Sequence, residues 1–339
     1  MVYLLTANHN EIDNKMTPFV SIVVVTKNEE GCIGACLASL IQLDYPRTQY
    51  EIIVIDGGST DRTQHIVKEY HARLIIDTQG GLSHSRNIGI KSAKSEYIAS
   101  IDADCLASKN WLKQLVGEVL STDELTAAVG GPNLVMENDV PLAKVIGFMQ
   151  ETLMGSGGAP QAYKISTKRY VYGIPNCNVL YKKHILITEG CFDERYNMGE
   201  DAELNHRLTK AGYKYLYIPD AVVYHRRPST LTKFASKMFA YGKGMARLTR
   251  DRKIFRSYSF IPSLAILSLI LVYPVHIFVP NILNCYFGCL ILYAIGLIVT
   301  TVHVCKRYDY KWGSLTLLLL PLQHLMYGLG FIKGILGGR

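Results

Sequence analysis

The pattern of apolar and polar positions divides the 339-residue chain into two parts. Up to about residue 225, short apolar runs alternate with segments of mixed polarity. Residues 258–336, by contrast, are dominated by Leu, Ile, Val, Tyr and Gly, with few charges. A chain of this length is also too long for one ordinary hydrophobic core. The sequence therefore predicts an α/β domain followed by a membrane region.

The first part contains four β-branched runs that end in turn-forming residues and alternate with segments of helical spacing. These runs are residues 19–28, 51–58, 72–77 and 97–104. Near-continuous apolar strands between helices are typical of a parallel sheet covered on both faces. The predicted fold class is therefore α/β, a mostly parallel Rossmann-like sheet with flanking helices. Shorter strands are expected at 127–136, 176–181 and 221–225, and a helix over 199–212.

Three apolar spans follow, at about 259–280, 284–305 and 313–332, and each is close to the twenty residues that cross a bilayer. The first contains prolines, which predicts a kinked or partly interfacial helix. The loop 306–311 carries three basic residues, so the positive-inside rule assigns it to the cytoplasm together with the soluble domain. We therefore expect a multi-pass protein of the cell membrane with three crossings and an external C-terminal tail.

Basic charge is concentrated immediately before the apolar region. Ten Lys or Arg residues lie between His225 and Ile261 against one acidic residue, Asp251, in a chain whose formal net charge is +8. Such a stripe could bind nucleic acid, but next to an apolar segment it is more typical of contact with anionic lipid. We predict membrane lipids and no nucleic acid as partners, with residues 226–257 forming a basic amphipathic interfacial segment.

The chain is accordingly divided into a tail (1–18), an α/β domain (19–225), the interfacial segment (226–257) and a transmembrane region (258–339). The first fifteen residues do not have the basic and long apolar regions of a signal peptide, so the α/β domain is expected in the cytoplasm. The eight cysteines form no CxxC pair, which argues against a disulfide framework or zinc site. Loop 155–160, with three glycines, is either a mobile lid or an ordinary surface loop.

Two carboxylates, Asp102 and Asp104, end the fourth apolar run. If the strand is still extended there, both side chains share one face, because residues two apart in a strand point the same way. Paired carboxylates repel unless a cation lies between them, and Mg²⁺ or Mn²⁺ is typically held by one or two carboxylates and substrate phosphates. The alternative is a solvated turn or helix start.

A second acidic pair, Glu200 and Asp201, begins the predicted helix at 199–212. Ionised carboxylates are favoured at a helix N-terminus, and one in a cleft can act as a general base. Simple helix capping explains the same pair. His225, after the last short strand, is either a structural histidine or a third metal ligand.

Several segments taken in order resemble glycosyltransferase family 2, of the GT-A fold, over residues 19 to about 225. They are "VSIVVVTKNEE", "EIIVIDGGSTDRT", "GLSHSRNIGI", "YIASIDAD" and "GEDAELNHRLTKAGY". The resemblance implies transfer of a sugar from a nucleotide-sugar, here expected to be a UDP-sugar, with inversion of configuration. The acceptor is expected to be membrane-associated, either lipid-linked or a glycan.

The resemblance also implies roles for individual residues. Asp104 would hold the divalent cation on the diphosphate, Asp102 would bind the ribose or the cation, and Asp201 of the ED pair would be the base. Nucleotide-sugar contacts are implied for Thr26, Glu29, Asp56 and Arg86, the last as a bidentate partner of the diphosphate. The family often has DDGS where this chain has "DGGS" at 56–59, so one acidic contact differs.

The processive synthases of this family carry QxxRW after the ED segment, and the corresponding "KMFAYGKGMARL" has no such motif. A single, non-processive transfer is therefore predicted. Two alternatives remain: a polyprenyl-phosphate hexose synthase, whose acceptor phosphate needs no base, and a catalytically silent membrane scaffold that binds nucleotide.

Overall fold

The computed structural model describes residues 17–159, 165–279 and 281–337, without the side chains of Ser257 and Tyr258. The predicted tail lies almost entirely outside the described residues, as do Pro280 and the last residue of the 155–160 loop.

In the described residues the strands form an eight-stranded sheet in the order β3-β2-β1-β4-β9-β6-β10-β8 and a three-stranded sheet in the order β5-β11-β7. Strands β1 to β4 pair in parallel, as the sequence predicts, while β9 is antiparallel to both of its neighbours, β4 and β6. The strands are Val20–Thr26 (β1), Tyr50–Asp56 (β2), Arg73–Ile76 (β3), Tyr97–Asp102 (β4), Cys105–Ala107 (β5), Thr126–Gly130 (β6), Asn133–Val135 (β7), Arg169–Val171 (β8), Val179–Lys182 (β9), Lys214–Tyr217 (β10) and Val223–His225 (β11).

Helices cover both faces of the large sheet. The helices are Ile33–Ile41 (α1), Thr63–Glu69 (α2), Leu82–Ser92 (α3), Trp111–Val119 (α4), Pro141–Gln150 (α5), Leu153–Ser156 (α6), Lys183–Thr188 (α7), Glu200–Lys210 (α8), Leu231–Arg252 (α9), Ser257–Phe278 (α10), Ile282–Arg307 (α11), Tyr310–Gly313 (α12) and Thr316–Leu336 (α13). Helices α1, α2 and α4 share one apolar core with the sheet, and α3, α7 and α8 share the other. This three-layer α/β arrangement confirms the predicted fold class.

The predicted strand over 127–136 is in fact two strands. Strand β6 ends at Gly130 and β7 begins at Asn133, in the other sheet. Gly131 makes this change of sheet possible, because a Cβ built on it would lie 2.1 Å from the carbonyl oxygen of Ala221. The predicted single strand was therefore wrong: the chain leaves the large sheet at a glycine whose backbone packs directly against another segment.

Asn178 joins the turn before β9 to three other parts of the core. Its Oδ1 accepts a hydrogen bond of 2.8 Å from Trp111 Nε1, and its Nδ2 donates to the carbonyl oxygens of Pro132 and Ala221. All of these groups lie in an interior from which water is excluded, since Asn178 is fully buried.

Asn178→Ala is expected to destabilise the protein by about 2 kcal/mol, because it leaves the buried indole N–H of Trp111 and the carbonyl oxygen of Ala221 without partners. Thermal unfolding in detergent measures the effect. Asn138→Ala is the matched control, since Asn138 is exposed in a turn. Equal midpoints for the two variants would contradict this role for Asn178.

The three predicted apolar spans all form helices. Among the described residues, Ser259–Phe278, Ile282–Arg307 and Tyr310–Leu336 are long and apolar enough to cross a membrane. The end of α11 contacts the α/β part, since the Arg307 guanidinium lies 5.5 Å from the ring centre of Phe148 on α5. The end of α11 therefore lies next to the α/β part, which agrees with the expectation that the basic loop and this part share one side of the membrane.

Candidate active site

Polar side chains meet where the central parallel strands end. Thr26 of β1 is in register with Asp56 of β2, and Val25 is in register with Asp102 of β4. Because parallel strands end at the same edge of a sheet, the last residues of the first, second and fourth apolar runs lie close together at that edge. This is the edge at which the sequence predicts a site.

Arg86 connects the two acidic motifs. It lies on α3 and is almost completely buried. Its Nη2 donates a 3.1 Å hydrogen bond to Asp102 Oδ1, and its Nε lies 3.5 Å from Glu200 Oε1. Burial alone would lower the pKa of this guanidinium, but the carboxylates of Asp102 and Glu200 raise it. One arginine thus joins groups that are about a hundred residues apart in the sequence.

The two carboxylates of the Asp102–Asp104 motif do not share one extended strand. Strand β4 ends at Asp102, and residues 103 and 104 form a turn before β5 begins at Cys105. The expectation of one extended face was therefore wrong. The chain must turn here because β5 pairs with β11 in the other sheet. Asp102 consequently contacts Arg86, whereas Asp104 contacts His225.

Asp104 and His225 form a partly buried ion pair. Asp104 Oδ2 lies 3.3 Å from Nε2 of His225, on β11. Burial opposes the charged form of each group, yet the pKa of Asp104 lies well below its usual range because His225, Lys237 and Arg227 are close. Asp104 in turn raises the pKa of His225 to about 9, against the effect of burial. The imidazole is therefore protonated at neutral pH when no cation competes for it.

The donor atoms around this pair fit a divalent cation. Ligand atoms of Asp104, Cys105 and His225 all lie within 4.8 Å of one another. Carboxylate oxygen and imidazole nitrogen are ligands that suit Mn²⁺, and the carboxylate also suits Mg²⁺. Burial raises the pKa of the Cys105 thiol well above its usual value, so its sulfur stays protonated and is a weak ligand.

Both acids of the ED pair are held in a setting that favours protonation. Helix α8 begins at Glu200, directly after Gly199, whose φ is 80°. Burial and the neighbouring Asp201 raise the pKa of Glu200 to about 7, although Arg86 opposes this. Burial also raises the pKa of Asp201, whose Oδ1 accepts a 2.7 Å hydrogen bond from the Ala202 amide. A carboxylate with a raised pKa is a better proton acceptor near neutrality.

The remaining predicted contact residues differ in how free they are to bind. The Thr26 hydroxyl is buried and has no hydrogen-bond partner among the described residues. Glu29 is half-buried, and burial together with Asp104 raises its pKa, which locates it beside the ion pair. Asp56 is fully buried, and its carboxylate accepts hydrogen bonds from Gly58, Ser59 and Gln64. Asp56 thus closes the turn after β2 with its own oxygens.

Sequence reasoning missed two side chains on α9. The pKa of Lys237 is raised by Tyr241 and by the carboxylates of Asp104 and Asp102. The Lys237 ammonium lies 5.9 Å from the ring centre of Tyr241, a side chain that is 38% exposed. The helix that was predicted only as a membrane contact therefore places a cation within electrostatic range of Asp102 and Asp104, with a phenol next to it. The available signal was their i, i+4 spacing, which puts both on one helix face.

The α/β part has a GT-A-like fold, and comparison with known proteins indicates a glycosyltransferase. The sequence model of Glycosyl transferase family 2 matches residues 21–186, which include the strands β1, β2 and β4 that carry the site. Over these residues the chain is similar to this family.

Two curated relatives align over most of the chain. One is a dolichyl N-acetyl-α-D-glucosaminyl phosphate 3-β-D-2,3-diacetamido-2,3-dideoxy-β-D-glucuronosyltransferase of Methanococcus voltae, 27% identical over 95% of this chain and 98% of its own. The other is the glycosyltransferase AglE of Haloferax volcanii, 28% identical over 68% of this chain and 74% of its own.

A solved structure has the same fold. The mannosyltransferase PcManGT of Pyrobaculum calidifontis, in complex with GDP-Man and Mn²⁺, superposes with a TM-score of 0.56 and covers 95% of this chain and 88% of its own. At 19% identity the likeness concerns the fold alone, and it extends through the C-terminal helices.

Proposed function

We propose that this glycosyltransferase moves a sugar from a nucleotide-sugar to a hydroxyl group of a lipid-linked acceptor, with inversion at the anomeric carbon. The observation that carries the proposal is the position of Arg86, which contacts Asp102 of one acidic motif and Glu200 of the other. A donor diphosphate near the first motif would then lie close to a carboxylate base of the second.

Asp104 and His225 would hold a Mn²⁺ or Mg²⁺ ion, with Asp102 as a further ligand or a partner of the ribose. Bound there, the ion would neutralise charge that develops on the departing nucleoside diphosphate. Arg86 and Lys237 can contribute in the same way, since Arg86 pairs with Asp102 and Lys237 lies within electrostatic range of Asp102 and Asp104. The buried, unpaired hydroxyl of Thr26 is suited to a nucleotide contact.

Asp201 is the proposed general base. It would remove the proton from the acceptor hydroxyl as that oxygen attacks the anomeric carbon opposite the leaving group. Its half-buried side chain and raised pKa suit this role, because the base must hold the proton until the product leaves. Glu200, deeper and paired with Arg86, would orient that arginine.

The lipid-linked acceptor is supported by two observations. The relative from Methanococcus voltae is named for a dolichyl-phosphate acceptor, and its alignment includes the C-terminal helices of this chain. In addition, α9 brings Lys237 and Tyr241 to the site and packs against α13, one of the apolar helices. An acceptor whose lipid tail lies in the bilayer would reach the site along this pair of helices.

The direct test is release of nucleoside diphosphate by membranes that contain the protein, incubated with a panel of UDP- and GDP-sugars and lipid-linked acceptors, with and without Mn²⁺. We expect release with one class of donor, and expect it to depend on both acceptor and metal. Release from no donor would contradict the transferase proposal and favour the silent scaffold.

A further inference from the structure

Helix α13 packs along α9 with the two backbones in contact. A Cβ built on Gly242 would lie 2.0 Å from the carbonyl oxygen of Tyr327, and one on Gly330 would lie 2.1 Å from that of Phe239. Further along, a Cβ built on Gly334 would lie 2.6 Å from the Cβ atom of Ala246. Small residues are what allow two helices to approach this closely.

The two helices run in the same direction and at the same level. Phe234 and Met238 of α9 share an apolar cluster with Leu319 and Leu320, near the start of α13. At the other end, Arg250 donates a 3.0 Å hydrogen bond to the carbonyl oxygen of Gly334 in the last turn of α13. Contact therefore extends along most of both helices. The two helices must consequently lie at the same depth relative to the membrane.

Helix α9 is fastened to the α/β part at both ends. Near its start, Phe234 packs with Val145 and Ile146 of α5. Just beyond its last turn, Ile254 packs with Tyr196 and Ala202, and Arg252 Nη2 lies 3.3 Å from Glu203 Oε1 on α8. At 22 residues α9 is about 33 Å long, so it lies across the surface of the α/β part.

The charges of α9 exclude it from hydrocarbon. It carries six basic residues, and charged side chains in the middle of a bilayer are costly and rare. Since α13 lies at the same level, α13 cannot cross the bilayer while α9 stays in water or among headgroups. The six basic residues are Lys233, Lys237, Lys243, Arg247, Arg250 and Arg252.

Helix α13 is buried by protein to a greater extent than the other two apolar helices. In α13, 39% of the most apolar stretch is buried by protein, against 6% in α10 and none in α11. The exposed side of α13 is a stripe of leucines at helical spacing, Leu318, Leu325, Leu329 and Leu336. An apolar stripe beside a helix with exposed Lys233, Lys243 and Arg247 is typical of a surface that rests on an anionic bilayer.

From this packing we propose that α9 and α13 form one interfacial layer on an anionic lipid surface, and that only the hairpin of α10 and α11 penetrates the membrane. The α/β part and the C-terminus then lie on the same side. The expectation of three crossings, with the tail on the opposite side, is replaced by an even number of passages. The layer would also hold the active site at the level of lipid headgroups, because Leu248 of α9 packs against Gly199 and Ala202, on either side of the ED pair.

Epitope tags test the sidedness without altering the chain. One variant carries a tag before Met1, which reports the side of the α/β part because β1 follows it, and the other carries the same tag after Arg339. In sealed inverted vesicles we expect a protease to remove both tags to the same extent. Protection of the C-terminal tag alone would overturn the proposal.

Depth is measured by quenching of one introduced tryptophan with brominated lipids, in a Trp312→Phe background. Trp111 remains, but it is fully buried in the α/β part and gives the same background signal in every variant. Leu325→Trp, at the middle of α13, should be quenched at least about twofold better by shallow than by deep bromines, because an interfacial helix lies near the headgroup boundary. The matched control is Leu269→Trp on α10, which should show the opposite preference. Deep quenching of both tryptophans would contradict an interfacial α13.

Discussion

Asp104→Asn is expected to lower nucleoside diphosphate release by about a thousandfold or more, because loss of the metal's charge stabilisation removes several kcal/mol of transition-state binding. The side chain keeps its size but loses the negative charge that faces His225. The measurement is initial-rate release with the donor that the panel of nucleotide-sugars selects, over a range of Mn²⁺ concentrations. Mn²⁺ binding followed by electron paramagnetic resonance should weaken in parallel.

The matched control is Asp44→Asn. Asp44 is an exposed carboxylate whose ion pair with Lys113 lies on the surface, so its loss should leave the rate within about twofold of the parent. Thermal unfolding of both variants separates loss of the site from loss of the fold. Equal release by Asp104→Asn and the parent enzyme would refute the metal assignment.

Asp201→Asn is expected to lower turnover by about a hundredfold or more, the usual contribution of a general base. The direction in which activity changes with pH follows from the raised pKa of Asp201. The base works only when deprotonated, so parent activity should be present above the pKa of Asp201 and fall as the pH drops through it. The Asn variant should not show that acidic limb, whereas Glu200→Gln should keep it.

The same variant separates the proposal from its nearest rival. A polyprenyl-phosphate hexose synthase transfers to a phosphate oxygen that is already ionised, so Asp201→Asn would leave its turnover nearly unchanged. The two proposed functions therefore predict turnover rates for Asp201→Asn that differ by about a hundredfold in the same assay. Retained activity with a polyprenyl phosphate and not with a lipid-linked sugar would favour the synthase.

The central sheet was predictable because burial on both faces requires continuous apolar strands. Val20–Thr26, Tyr50–Asp56 and Tyr97–Asp102 correspond to three such runs, and their parallel pairing brings Thr26, Asp56 and Asp102 to one edge. A helix start was likewise readable at Glu200, where acidic residues meet free backbone amides. These features depend on neighbours in sequence and on one general property of parallel sheets.

The turn at Asp104 could not be read in the same way. Residues 97–104 have the pattern of one continuous strand, but β5 pairs with β11, which lies more than a hundred residues later. Only the partner strand decides that the chain bends after Asp102, and so that Asp102 contacts Arg86 while Asp104 contacts His225.

The sequence alone determines the class of this protein: apolar runs at strand spacing specify the α/β domain, and three long apolar segments specify helices with an affinity for membrane. Tertiary packing alone decides which groups meet and how deep each helix lies. Lys237 comes within electrostatic range of Asp102 and Asp104, and α13 lies level with α9, because glycine contacts such as that of Gly330 with Phe239 align two helices separated by about eighty residues. The hydrophobicity of a segment measures its affinity for hydrocarbon. The orientation of the helix that it forms depends on the helices it packs against, and these are determined by complementary shape between segments that are distant in the sequence.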